Sequence, residues 1–223
     1  MRTTVTAHLL HLPIRTLLAI AASSLLLAGC ASNKAQESMT YDFGPAAPLQ
    51  GAAPAPASMP ALVVMDFTGP SALENERMYY RLAYADALQA RTYAHNRWAN
   101  EPLQMLTQRV KVRLAQSGLK VLSATDASTG VPLLRVEVDD FVHSFSSASQ
   151  SEGQLTLRAS LFSDHRLLDQ RTFTRATPAP SADAPGGARA LAASTDAVAS
   201  DILAWLATRP AAEQSRDNKV TGK

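Results

Sequence analysis

The sequence predicts an α+β fold: one mixed, mainly antiparallel sheet with two amphipathic helices packed on one face, preceded by a signal peptide and a flexible linker. Three observations carry this. Residues 132–145 and 153–162 alternate apolar and polar side chains, as half-buried strands do. Residues 103–114 and 191–206 instead repeat their apolar positions at helical spacing. Between the first proline-rich stretch and these segments lies ALVVMDF, residues 61–67, apolar on both faces like a central strand.

The elements follow in order. Gly69-Pro70 ends the first strand. Residues 77–99 are rich in Tyr79, Tyr80, Tyr84, Tyr93 and Trp98, which favour strand, and read as a hairpin turning near Asp86. A helix over Ala83 to Arg91 is the alternative. Asn100-Glu101-Pro102 starts a helix, with proline in the first turn. Leu103, Leu106, Val110 and Leu114 form its stripe, and Ser117-Gly118 ends it. KVLSA, from Lys120, is a strand. In residues 132–145, Leu134, Val136 and Val138 point one way and Arg135, Glu137 and Asp139 the other. The apolar phase then moves to Phe141 and Phe145, which predicts a bulge at Asp139-Asp140. Leu155, Leu157, Ala159 and Leu161 line the next strand. Asp164-His165 turns it into LLDQRTFTR, whose mixed faces suit an edge. Residues 176–187 read as a loop. The last helix runs from about Ala188 to Ala207 on a stripe of Leu191, Thr195, Val198, Ile202 and Leu206. Arg209-Pro210 stops it, and residues 208–223 read as a disordered tail.

The start of the chain is of another kind. Arg2 and Arg15 are followed by an apolar run from Thr16 to Leu27, with no acid before residue 30. A basic n-region, a short apolar core and small residues at its exit describe a secretory signal peptide over residues 1–29. The run falls short of the roughly 20 apolar residues a membrane span needs. Leu27-Ala28-Gly29-Cys30 resembles a bacterial lipobox, and Cys30 is the only cysteine of the 223 residues. That resemblance implies a diacylglycerol on the Cys30 sulfur and an N-acyl chain on its amino group after cleavage. Two or more chains make such attachment stable, where one does not. Ala31 and Ser32, rather than aspartate, follow the cysteine, which by resemblance to sorting signals favours the outer membrane. Residues 30–60 then read as a tether. Pro45, Pro48, Pro54, Pro56 and Pro60 interrupt regular structure, while Tyr41-Asp42-Phe43-Gly44 is compatible with a short strand. The folded domain is expected over 61–207.

Charge offers no nucleic-acid signal. Apart from Arg2 and Arg15, 19 basic residues balance 19 acidic ones. Known catalytic and phosphate-binding motifs are missing, and a thiolate zinc site needs further cysteines. No catalytic residue, metal or cofactor is therefore expected beyond the lipid on Cys30. Asp139, Asp140 and His143 could bind a metal or move a proton. A bulged strand turning its polar face to water is the stronger reading. Between Arg77 and Arg113 lie seven basic residues (Arg77, Arg81, Arg91, Arg97, Arg109, Lys111 and Arg113) and two acids, interleaved with aromatics. Arginine with aromatics marks interface anchors. The same pattern suits a solvated strand face over an aromatic core.

As a whole, the pattern resembles the ABC-type transport auxiliary lipoproteins, the PqiC/YmbA-like group. The matching pieces are Tyr41-Asp42-Phe43-Gly44, Tyr80-Arg81, Asn96-Arg97-Trp98-Ala99 with Pro102, VEVDDF, LTLRASLF with LLDQRTF, and a closing helix with Ile202 and Trp205. They span roughly residues 30–207. The Pro/Ala-rich insert after Gly44 and the charged tail depart from the family pattern. The resemblance implies a non-enzymatic lipoprotein on the periplasmic face of the outer membrane. It would dock an MCE-domain periplasmic protein and, through it, an ABC permease and ATPase that move lipid or another hydrophobic solute. Tyr80, Arg81, Arg97 and Trp98 are the candidate partner-binding residues. A homo-oligomer is compatible with this role. The alternative is a lipoprotein that binds and regulates a cell-wall-synthesising enzyme.

Overall fold

The computed structural model of the chain describes residues 37–48, 59, 61–126 and 130–208. The chain divides into two units, 1–37 and 38–223, and the fold below is that of the second. The signal peptide, Leu27, Ala28, Gly29, Cys30, most of the tether and the tail from 209 lie outside the described residues.

The strands are β1 (Met39–Tyr41), β2 (Ala61–Val64), β3 (Arg77–Leu82), β4 (Ala90–Trp98), β5 (Lys120–Ser123), β6 (Leu133–Phe145), β7 (Ser151–Ser163) and β8 (Arg166–Pro178); the helices are α1 (Pro102–Gln116) and α2 (Ala184–Ala207). The eight strands form one open sheet in the order β1-β4-β3-β6-β2-β5, with β7 between β6 and β8. Strand β6 organises it. Its start pairs with β2 and its end with β3, both parallel, while β7 runs antiparallel along its other edge. The β6–β7 and β7–β8 ladders are the longest, so antiparallel pairing dominates although β1–β4 and β2–β5 are also parallel.

The sequence pattern explains these elements. Leu62 and Val64 are fully buried and Val63 nearly so, because β2 has neighbours on both edges. The β6–β7 register shifts between Val138 and Asp140, where the apolar phase changes. Asp164 and His165 both have positive φ (47° and 64°), the conformation of a two-residue hairpin turn. Helix α1 begins at Pro102 and ends at Gln116, capped by Ser117, with Gly118 at φ 93°. Its stripe of Leu103, Leu106, Val110 and Leu114 joins that of α2 in one core over the sheet. The opposite face is polar, with Arg158 paired to Glu137.

Helix α2 lies closest to the sheet. A Cβ on Gly153 of β7 would stand 2.5 Å from the Leu191 nitrogen. The Ser194 hydroxyl donates to the Gly153 carbonyl at 2.7 Å. Among the described residues, α2 alone is long and apolar enough to cross a membrane by length and composition. Here its stripe is buried in the core.

Three boundaries differ from expectation. The short strand is Met39–Tyr41 rather than 41–44, and Asp42 instead caps a turn through the Gly44 N–H (2.7 Å). Strand β8 runs to Pro178, and α2 starts at Ala184, capped by Asp183 accepting from the Gly186 N–H (2.8 Å). The loop expected over 176–187 is therefore much shorter. Last, the folded body begins before residue 61, because β1 and the chain to Pro48 are built onto it.

Candidate partner-binding surface

The four residues proposed as partner anchors fall on β3 and β4, and the structure separates them. Strand β4 carries extra residues against β3: Arg77 faces Arg97, whereas Tyr79 faces Thr92. This irregularity places Tyr93 and Trp98 in separate aromatic groups. Trp98 is 1% exposed, with its ring 5.8 Å from Phe43 and 5.6 Å from Phe141. It is a core residue, which corrects its place among the candidate partner-binding residues. An indole is the largest hydrophobic side chain available, and the core takes it.

Tyr80 is half-buried, its ring tilted against Tyr93 at 4.6 Å and edge-on to Phe145. Arg81 reaches Asp140 on the neighbouring strand at 3.2 Å. Arg81 borders a cleft of about 220 Å³ that Leu73, Tyr79, Asp140 and Phe141 help to line, and Tyr80 is not part of it. Arg97 alone of the four is exposed. Its side chain is 56% exposed, the guanidinium stands 3.6 Å from Glu76, and Nε donates to the Thr40 hydroxyl at 3.4 Å. It therefore sits across the β1–β4 junction with most of its donors free for another molecule.

The basic segment around these residues is largely neutralised. Arg109 and Arg113 are nearly buried, and both pair through two nitrogens with Asp196 of α2. Burial raises the Asp196 carboxyl, but hydrogen bonds from Arg113 and Arg109 outweigh it and hold it below the usual range. The same guanidiniums donate to the Gly44 and Ala47 carbonyls. Gln116 donates to the Ala46 carbonyl at 3.4 Å. Lys111 pairs with Asp66 at 3.3 Å. Sequence reasoning placed Arg109 and Arg113 on a basic surface and missed this clamp. Their i, i+4 spacing beside the apolar stripe, with Asp196 beside the stripe of α2, was the available signal.

Asp139, Asp140 and His143 do not converge. Asp139 is exposed, Asp140 belongs to Arg81, and His143 is fully buried. The strand does turn Asp139 to water, but His143 contradicts the expected solvated face. Its Nδ1 shares a 2.8 Å hydrogen bond with the Tyr93 hydroxyl, and Nε2 has no partner among the described residues. Burial lowers the His143 pKa to about 4, against a smaller opposing pull from Asp183. Burial, with Tyr80 and Asp183, pushes the Tyr93 hydroxyl up. Both side chains are thus neutral near pH 7, and they form a core contact. No group of three His, Cys, Asp or Glu among the described residues could hold a metal ion. A larger open cleft of about 810 Å³ lies at the start of α1, bordered by Asp66, Glu74 and Glu101. Nothing in it pairs a nucleophile with a base.

The fold has solved counterparts. A Xanthomonas campestris protein of the DUF330 family superposes with a TM-score of 0.61 at 23% identity, over 75% of this chain and 94% of its own. An uncharacterized protein superposes with a TM-score of 0.57 at 15% identity, over 76% and 99%. No curated protein matches the sequence. The model of the ABC-type transport auxiliary lipoprotein component matches residues 41–203, a span that starts at β1 and ends within the last turns of α2. The match covers most of the chain: the protein belongs to the ABC-type transport auxiliary lipoprotein component family.

Proposed function

We propose that the chain is a non-enzymatic adaptor, anchored by lipid on Cys30 to the periplasmic face of the outer membrane. There it docks the MCE-domain protein of an ABC system that moves lipid or another hydrophobic solute through the envelope. The observation that carries this reading is the family match over 41–203, preceded by Leu27-Ala28-Gly29-Cys30. The anchor would need no disulfide from the fold, since Cys30 is the sole cysteine. Membership in a family of auxiliary components favours binding over catalysis.

The docking surface is the β1–β4–β3 side of the sheet, with Arg97 as its charged anchor and Tyr80 and Arg81 flanking it. Arg97 is suited to this because its guanidinium is exposed yet oriented by Glu76 and Thr40. Arg97→Ala should weaken co-purification with the MCE-domain partner by about 2 kcal/mol, roughly a 30-fold rise in Kd. The fold should be unchanged, because the side chain is open. Unchanged affinity removes Arg97 from the interface. Recovery of a peptidoglycan synthase and no MCE-domain protein would favour the cell-wall reading instead.

A further inference from the structure

The turn between β3 and β4 is apolar at its tip and fixed in shape. Residues 83–90 read Ala-Tyr-Ala-Asp-Ala-Leu-Gln-Ala. Leu88 is 95% exposed and Tyr84 51%. The turn thus sets two large apolar side chains at one end of the sheet. The turn is not a loose loop. The Ala85 and Asp86 N–H groups donate to the Leu82 carbonyl, both at 2.9 Å. Asp86, the single acid of the turn, points its carboxylate back to accept the Leu88 N–H at 2.9 Å. Arg91 and Arg81 flank the turn at the strand ends.

Chain direction says what lies opposite. Strand β1 runs parallel to β4, with Met39 beside Asn96 and Tyr41 beside Trp98. Since β4 runs away from the turn, the Met39 end of β1 is the end that faces the turn. From Asn96 back to Ala90 is at most about 20 Å of strand. From Cys30 to Met39 the covalent chain can reach about 30 Å. The chain is therefore long enough for a surface holding Cys30 to stand at the level of Leu88 and Tyr84. Met39, 57% exposed, stands on the same path. The β6–β7 turn falls at this end too, because β6 runs parallel to β3, and its residues 146–150 are uncharged Ser, Ala and Gln. The other exposed leucine among the described residues, Leu167, follows the β7–β8 turn at the opposite end.

We infer that the β3–β4 turn is a second membrane contact: Leu88 and Tyr84 enter the interface of the bilayer that holds the Cys30 lipid, with Arg91 at the phosphates. This rests on the lipid-anchor reading above. Leucine supplies the apolar insertion, tyrosine suits the headgroup level, and arginine extends its aliphatic stem while its charge meets anionic lipid. The contact would hold the sheet upright on the membrane and turn its β1–β4 side toward the envelope space.

The test uses the mature protein purified from an envelope-competent bacterial host and reconstituted in vesicles of phosphatidylethanolamine and phosphatidylglycerol. Leu88→Trp places a reporter at the tip, and Leu167→Trp is the control. Native Trp98 and Trp205 are buried, at 1% and 2% exposed, so they give a constant background. Mass spectrometry of the same sample reports the lipid on Cys30. With lipid present, brominated acyl chains should remove most of the added emission at position 88 and little at position 167, and emission at 88 should shift to the blue. Tyr84→Trp should repeat that result. Lipid on Cys30 without quenching at 88 or 84 overturns the contact and leaves the anchor standing. Protection of position 88 only by an added envelope protein overturns it as well. An unmodified Cys30 sinks the anchor and the contact together.

Discussion

His143 shows how one side chain ties the sheet to α2. It is fully buried on β6, bonded to Tyr93 on β4, and a Cβ on Gly187 of α2 would stand 2.3 Å from its Nδ1. Its pKa is about 4 in the fold against 6.5 for a free histidine. Between those values the unfolded chain binds a proton that the folded chain refuses. Its contribution is therefore complete above pH 6.5 and lost as pH falls toward 4, by up to about 3 kcal/mol. His143→Gln keeps a polar partner for Tyr93 and cannot titrate. Urea denaturation across pH 7 to 4 should show a flatter decline for this variant than for the parent. Equal slopes would mean that His143 is protonated in the fold.

At the scale of elements, periodicity was informative wherever one face met the core and the other met water. The Asp139 bulge, the Asp164-His165 turn and the stripes of both helices were legible for that reason. The pattern reports which face is apolar, and it says nothing about what covers the other. Thus β2, β3 and β6 pair in parallel without a local signal, and His143 lies beneath α2 although the residues around it look like an exposed strand. Arginine likewise reads as surface until a carboxylate from a distant element is found. The close approach of α2 to β7 also left only a glycine as its trace. Gly153→Val should displace α2, since even a Cβ would stand 2.5 Å from the Leu191 nitrogen and 2.6 Å from the Ala190 carbonyl carbon. A loss of about 3 kcal/mol in chemical denaturation is expected, with backbone rather than a pliable side chain as the obstacle. A stability equal to that of the parent would show that the helix can shift freely.

For the whole molecule, the decisive feature is that the supposed tether becomes part of the body. Residues 39–41 add a strand to β4, Phe43 joins Trp98 and Phe141, and the Gly44 and Ala47 carbonyls accept from the arginines that hold Asp196. Composition concealed this, because proline and alanine usually signal a solvated linker, and Pro45 and Pro48 still leave carbonyls free to accept hydrogen bonds. A chain beginning at Met59 should consequently fold less stably than one beginning at Ser38. It loses the Phe43 ring contacts and the β1–β4 hydrogen bonds, and it leaves Arg109 and Arg113 with fewer acceptors. Aromatic pairs are worth about 1 kcal/mol each, and donors left without acceptors add to the cost, so about 3 kcal/mol or more should be missing. Urea midpoints of the two chains measure it. Coincident midpoints would make residues 38–48 a passenger on a body complete without them.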